Sequence, residues 1–236
     1  MQQNQLSFLF LHGAGGSAKK WGKVSQLLGD LPAKILDLPG HGNDQSHTVP
    51  TSIEEYANLL NQHITGDTIV VGHSMGGLIG LELAAINVRV KGLILACSHP
   101  RLSVHPKILE QLAQGVFPEN FFRASYAKNA PVELLEEERE ELYRTPIATA
   151  LVDFQSCDRY VNGAKALAEL RIPILAIYGE QDKLLPADAR EQLLSIRPDA
   201  QWESISDAGH YAIVEKYEEF TALIKRFWAN TVTNLK

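Results

Sequence analysis

Residues 70–84 read VVGHSMGGLIGLELA. An apolar run meets a turn holding His73, Ser74 and Met75 among glycines, and an apolar helix-forming stretch begins at once. TIVVG (68–72) has the β-branched composition of a buried strand. Met75 to about Asn87 is apolar nearly all round, which predicts a buried helix. Gly72-His73-Ser74-Met75-Gly76 fits the pattern G-x-S-x-G. In such an elbow the serine sits on a strained strand-to-helix turn with its hydroxyl above the sheet edge. The helix N-terminus aimed there favours developing negative charge. Ser74 is therefore the candidate nucleophile, and the Met75 backbone N–H a candidate oxyanion donor. A glycine-rich packing turn with an idle serine is the competing reading. The strand before the turn and the helix after it weigh against that.

Outward from this turn, β-type runs alternate with amphipathic stretches. LSFLFL (6–11), AKILDL (33–38), KGLILA (91–96), IPILAIYG (172–179) and QWESI (201–205) read as further strands. Ser17 can cap a helix running to about Leu28. Ser52 caps SIEEYANLLNQHI, with Glu55 completing a capping box. At the C-terminal end Ile213, Tyr217, Phe220, Ile224 and Phe227 form a core stripe on one helix. Repeated strand–helix–strand units imply an α/β domain with a mostly parallel six-stranded sheet covered on both faces. Residues 98–168 interrupt the alternation with helical stretches, PVELLEEEREELYR being the clearest. An insertion there leaves from the carboxyl end of a strand, where ligands bind in such sheets. The expected organisation is a core of 1–97 and 169–236 with a helical lid at 98–168. The lid is expected to select substrate and to take no part in bond cleavage.

A serine hydroxyl needs a base, and the expected chain order is Ser, acid, His. Asp182 in YGEQDKLLP follows the fifth strand; His210 in SDAGHYAI follows the last. Glu180 and Asp188 compete for the acid's place. Asp182 lies nearer the strand end, whereas Asp188 begins a helix. His12, His41 and His73 flank glycines in early turns and read as structural. His47, His63, His99 and His105 fall in loops, a helix end or the lid. Only His210 has the required place in the order. The roles would be Ser74 as nucleophile, His210 as general base and then acid, and Asp182 as its orienting carboxylate. The second oxyanion donor should come from LHGAGGS after the first strand, with the Ala14 N–H first choice and Gly15 the alternative.

LFLHGAGGS, DLPGHG, VVGHSMGG, PILAIYGEQDKLLP and DAGHYAIVEKYEEF stand in this order along nearly the whole chain. Together they resemble the α/β-hydrolase superfamily. The resemblance implies the triad Ser74, Asp182, His210 and an oxyanion hole of Ala14 and Met75. Many members carry two strands ahead of the HG loop. Here the first strand starts at residue 6, so a sheet lacking those two is expected. The chain is most similar to small bacterial carboxylesterases, including the pimeloyl-carrier-protein methyl esterases. The similar menaquinone-pathway synthases usually place Arg after the elbow glycines, where this chain has Leu78. Hydroxynitrile lyases usually carry Lys after the catalytic His, where Tyr211 stands. The resemblance thus implies a serine hydrolase acting on a small to medium, largely apolar carboxylic ester through an acyl-enzyme, without cofactor or metal. Three alternatives stay open: a lyase or synthase using His210 as base, a methyl esterase of carrier-linked substrates, and a non-catalytic receptor on the same scaffold. Trp21, Phe121, Phe122, Phe154 and Tyr211 are candidates to line the substrate site.

Bulk properties narrow the partners. The 236 residues carry a formal net charge of -6 and are 45% hydrophobic. No basic block favours nucleic acid, and no basic amphipathic face or spanning segment favours a membrane. The N-terminal apolar run is short and has no preceding Lys or Arg, so a cytoplasmic protein is expected. Cys97 and Cys157 form no metal or redox spacing. Residues 98–168 carry more acidic than basic side chains, which disfavours docking of an acidic carrier protein.

Overall fold

The computed structural model describes residues 6–44 and 48–235, so His47 lies outside the described residues. The strands are β1 Ser7–Leu11, β2 Ala33–Leu36, β3 Thr68–His73, β4 Val90–Ala96, β5 Ile174–Gly179 and β6 Gln201–Ile205. They form one sheet in the order β2-β1-β3-β4-β5-β6, each neighbouring pair parallel. β2 ends at Leu36 rather than Leu38. Directly after it the Asp37 carboxylate accepts the backbone N–H groups of Ala18 (2.7 Å) and Asn43 (2.9 Å), which turns the chain out of the sheet.

Burial on both faces explains the unbroken apolar runs. Leu9 and Leu11 of β1 enter one core cluster, Phe8 and Phe10 the other. Helices α1 Gly22–Leu28, α2 Ile53–Leu60 and α3 Met75–Ile86 lie between the first four strands. Between β4 and β5 come α4 Pro106–Ala113, α5 Glu119–Ala124, α6 Val132–Leu142, α7 Ile147–Arg159 and α8 Gly163–Glu169. Then follow α9 Ala189–Ile196, α10 Ala212–Glu215 and α11 Tyr217–Asn234. Side chains of α2, α3, α8 and α9 fill the Leu9 cluster, and those of α1, α10 and α11 the Phe8 cluster. Helix α8 packs on α3 and α9. The segment leaving after β4 therefore rejoins the core layer before β5 begins.

Three local expectations are refined. The helix after Ser17 opens as a tight 3-10 turn over Ala18–Trp21, with Ser17 Oγ accepting the Lys19 N–H at 3.3 Å, and becomes α-helical only at Gly22. At α2 Ser52 Oγ accepts the Glu55 N–H at 3.2 Å, but the Glu55 carboxylate reaches Thr51, accepting its N–H at 2.7 Å and hydroxyl at 3.1 Å. The reciprocal arm of the capping box thus closes one residue early. The C-terminal stripe is split at Lys216 (φ -134) into α10 and α11, while Ile213, Phe220, Ile224 and Phe227 still share one core cluster.

Candidate active site

The sheet order reverses between β1 and β3, so the loops after those strands diverge and open a crevice at their carboxyl ends. Both expected oxyanion donors and Ser74 sit there. Ser74 adopts φ 51, ψ -118, a left-handed backbone that costs a non-glycine residue about 1–3 kcal/mol. The surroundings fix it. Its N–H donates to the Ala96 carbonyl at 3.0 Å, and its carbonyl accepts the Gly77 N–H at 2.8 Å and the Ser98 hydroxyl at 2.7 Å. Gly76 lets the start of α3 touch the end of β1: a Cβ there would lie 2.4 Å from the Leu11 carbonyl oxygen. That approach sets Ser74 beside the loop beginning at His12.

On the next strands, Asp182 follows β5 and His210 follows β6. His210 Nδ1 lies 2.9 Å from Asp182 Oδ2, both side chains almost fully buried. The other Asp182 oxygen accepts the Leu184 N–H at 2.9 Å, so the carboxylate is held at both ends. The His210 loop has two further anchors. His73 Nε2 donates to the His210 carbonyl at 2.9 Å. Burial, and then the proximity of His210, push the His73 pKa well below the usual imidazole range, so His73 is a neutral donor. Glu215 accepts the Gly209 N–H at 2.8 Å and the Ala127 N–H at 2.7 Å, joining the His210 loop to the segment beyond α5. Burial raises its carboxyl pKa against the pull of those two N–H groups.

In the loop after β1, the Gly15 N–H donates to Asp153 Oδ2 at 2.9 Å and the Gly16 N–H to the Gly13 carbonyl at 3.1 Å. Both amides after Ala14 are thereby engaged, which removes the Gly15 alternative. Gly13, Ala14, His73, Ser74, His210 and Tyr211 line one pocket of about 240 Å³. Phe121 and Phe154 form its wall, ring centroids 5.5 Å apart and nearly perpendicular. Leu102, Val104, Ile108 and Leu184 extend the apolar lining; Ser103, His105, Ser125 and Lys183 add polar groups.

Two expected lining residues lie elsewhere. Trp21 is wholly buried in the cluster containing Phe8, packed between Phe10 (5.0 Å) and Phe220 (5.9 Å), because its helical turn falls on the opposite face of the sheet. Phe122 is absent from this lining and borders instead a smaller adjoining cavity, shared with Ala14, Phe121, Phe154 and Tyr211. It packs on Tyr126 at 5.2 Å, under the Arg139 guanidinium at 4.4 Å. Its neighbour Phe121 projects a helical step away, into the pocket.

Sequence reasoning also missed the group on which this side of the site rests. Asp153 of α7 is fully buried. It accepts the Tyr56 hydroxyl at 2.8 Å on Oδ1, and His41 Nε2 at 2.7 Å together with the Gly15 N–H on Oδ2. The DLPGHG stretch carried a signal for His41, but nothing in the α7 sequence marks Asp153 as its partner. Among the described residues no cluster of three or more His, Cys, Asp or Glu side chains could hold a metal ion, and no helix is long and apolar enough to cross a membrane.

Residues 8–223 match the family described as Alpha/beta hydrolase family. A pimeloyl-[acyl-carrier protein] methyl ester esterase of Aromatoleum aromaticum is 26% identical, the alignment covering 94% of this chain and 98% of that protein. Among solved structures, a lipase-esterase related protein from Clostridium acetobutylicum superposes with TM-score 0.85 at 21% identity, covering 96% of each chain, a likeness of fold. MenH from S. aureus superposes with TM-score 0.78 at 25% identity, covering 98% of this chain and 96% of that one.

Proposed function

The chain belongs to the alpha/beta hydrolase family, and on that premise we propose that it is a carboxylesterase-type serine hydrolase acting on short, largely apolar esters. One observation carries the reading. Ser74, held in a left-handed turn, lines the same pocket as His210, whose Nδ1 is 2.9 Å from Asp182. In the proposed reaction Ser74 Oγ attacks the ester carbonyl while His210 Nε2 takes its proton. Asp182 holds the imidazole through Nδ1–H and stabilises its charge. The N–H groups of Ala14 and Met75 bind the oxygen that becomes negative. Collapse expels the alcohol, protonated by His210, and leaves the acyl group on Ser74. Water, activated by the same imidazole, then releases the acid.

The pocket supports the substrate class. At about 240 Å³ it lies below the ~300–1,000 Å³ usual for drug-sized ligands, and apolar side chains dominate its wall. The named relative acts on an ester borne by an acyl-carrier protein. For this chain we favour a free ester, because Glu133, Glu136, Glu137 and Glu140 are exposed along α6 and would repel an acidic carrier.

A fluorophosphonate should label Ser74 in the parent, and Ser74→Ala should abolish labelling and lower ester turnover by about 10⁴ or more. Near-native turnover in that variant, after purification to constant activity, would refute the acyl-enzyme. Comparing the free methyl ester of a dicarboxylic acid with its carrier-bound form decides between the two substrate classes.

A further inference from the structure

We propose that Asp153 is a positioning residue for the oxyanion hole: by gripping the Gly15 amide from helix α7, it sets the Ala14 N–H against Ser74. The proposal rests on the serine-hydrolase reading above.

The carboxylate joins three separate parts of the chain. Gly15 belongs to the loop after β1, His41 to the turn after β2, and Tyr56 to α2. Burying a carboxylate is costly unless its lone pairs are met and its charge is opposed. Both conditions hold. Tyr56 occupies Oδ1, while His41 and Gly15 share Oδ2. The imidazole of His41 faces an acceptor on each side, Asp153 Oδ2 at 2.7 Å from Nε2 and the Pro39 carbonyl at 3.1 Å from Nδ1. Burial lowers the His41 pKa, but the hydrogen bond and charge of Asp153 raise it further, so the pair favours the charged imidazole. The carboxylate of this buried pair also holds the amide next to Ala14.

Gly15 itself is placed where another residue would not fit well. Its φ is +65, and a Cβ would approach the Ala150 Cβ to 3.3 Å, one helical turn before Asp153. The loop is thus pressed against α7 and bonded to it. On the same helix Phe154 and Cys157 line the pocket. One rigid element therefore carries both the substrate wall and the anchor of the oxyanion loop. On this proposal residues 98–168 anchor the oxyanion loop as well as selecting substrate, while taking no part in bond cleavage themselves.

The test uses the full-length protein and three variants, Asp153→Ala, Asp153→Asn and Tyr56→Phe. Each is assayed for kcat and KM on a short p-nitrophenyl ester, for thermal melting, and for affinity toward two probes. A trifluoromethyl ketone adds to Ser74 as an oxyanion; the matching amide binds without forming one. A donor displaced by about 1 Å costs on the order of 10²-fold, so Asp153→Ala should lose about that in kcat and in ketone affinity, with KM and amide affinity within about 3-fold. Tyr56→Phe removes only the Oδ1 arm and should stay within about 5-fold of the parent in kcat. If the alanine variant does not fold, Asp153→Asn carries the test, read beside hydrogen exchange at the Gly15 amide. It is the same size; with its N–H₂ turned to Gly15 it loses the protection of that amide and should show the same split, and with its oxygen kept there it should keep both the protection and the parental kcat. A folded variant in which kcat and ketone affinity do not follow the Gly15 protection overturns the positioning role and leaves the serine-hydrolase reading standing. A parent that hydrolyses the ester yet forms no ketone adduct overturns that reading, and this proposal with it.

Discussion

The elbow at Ser74 and the helical segment between β4 and β5 meet at one pocket, yet they are specified in opposite ways. In the elbow, the residue types that dictate the turn lie within a few residues, although Leu11, Ala96 and Ser98 hold it in place. Gly72 and Gly76 admit close backbone approach, Ser74 takes the left-handed conformation, and the strand and helix on either side are apolar enough to be buried. In the helical segment each decisive contact spans a long stretch of chain. Asp153 meets His41 and Gly15; Glu141 accepts the Ser17 hydroxyl at 2.7 Å; the Ala127 N–H meets Glu215. Local residue types therefore mark the turn at Ser74, and tertiary assembly builds the walls and anchors around it.

The sharpest way to break this contrast is to disturb the elbow's backbone. Gly76→Ala sets a methyl 2.4 Å from the Leu11 carbonyl oxygen, a backbone atom that cannot rotate away. We expect a loss of about 3 kcal/mol or more, read by urea denaturation. Gly22→Ala is the control, since a Cβ there meets nothing within 4 Å and its φ of -55 suits a helix. It should gain about 0.4–1 kcal/mol. Equal effects at the two glycines would mean that the close approach at the elbow is not what Gly76 is for.

The same contrast explains how much the sequence disclosed. The six strands, the parallel sheet and the placing of Ser74, Asp182 and His210 at one sheet edge follow from hydrophobic periodicity and chain order, because each residue sits directly after a strand. Which aromatic side chains face the pocket did not follow. Phe121 and Phe122 are adjacent on one helix, and only the packing of α5 against its neighbours decides which points outward. Trp21 was misplaced because the turn after Ser17 lands on the far face of the sheet, a fact held in the β1–α1 connection and not in the residue's own type. Asp153 gave no signal, since a single acid in an amphipathic stretch ordinarily faces solvent.

Acid stability probes the ground between the two regions. His12 directly follows β1, beside the His41–Asp153 pair, its ring centroid 5.0 Å from that of His41. Its Nε2 accepts the Leu38 N–H at 3.0 Å, which fixes a neutral ring. Burial, then the charge of His41, lower its pKa to about 3, whereas in the unfolded chain it protonates near pH ~6.5. Between those values the unfolded state binds a proton that the folded state refuses, so stability falls as pH drops from about 6.5 toward about 3. His73 acts in the same direction. His41 acts oppositely. Burial lowers its pKa but the hydrogen bond and charge of Asp153 raise it further, so its contribution is full below pH ~6.5 and fades as pH rises through the elevated value. His63 and His99 are lowered too, chiefly by burial, so four depressed histidines against one raised predict a net loss on acidification. The urea midpoint should be lower at pH 5 than at pH 7, and His12→Gln should flatten that slope, whatever it does to absolute stability. An unchanged slope would remove His12 from the account.

The smallest expected change in activity concerns the pocket wall, and it sharpens the comparison within the helical segment itself. Phe121 and Phe154 meet edge to face inside the pocket, whereas Phe122 is 4% exposed beneath Arg139. Truncating Phe154 to Ala should open room beside the acyl chain and shift the preferred ester toward longer chains. One methylene in an apolar pocket is worth about 1–3 kcal/mol, so the ratio of kcat/KM between adjacent chain lengths should move by about tenfold. Phe121→Ala should act in the same direction. Phe122→Ala removes an aromatic ring from a packed interior and should cost about 3 kcal/mol of stability, while the ranking of esters, measured well below its melting temperature, stays that of the parent. The separation matters because all three residues are aromatic and lie in the same helical segment, so composition alone treats them alike. A folded Phe122→Ala that shifts the ranking as Phe154→Ala does would move the wall of the pocket inward, and Tyr126, stacked on the pocket residue Tyr211 with 4.9 Å between centroids, would then join the surface the substrate meets.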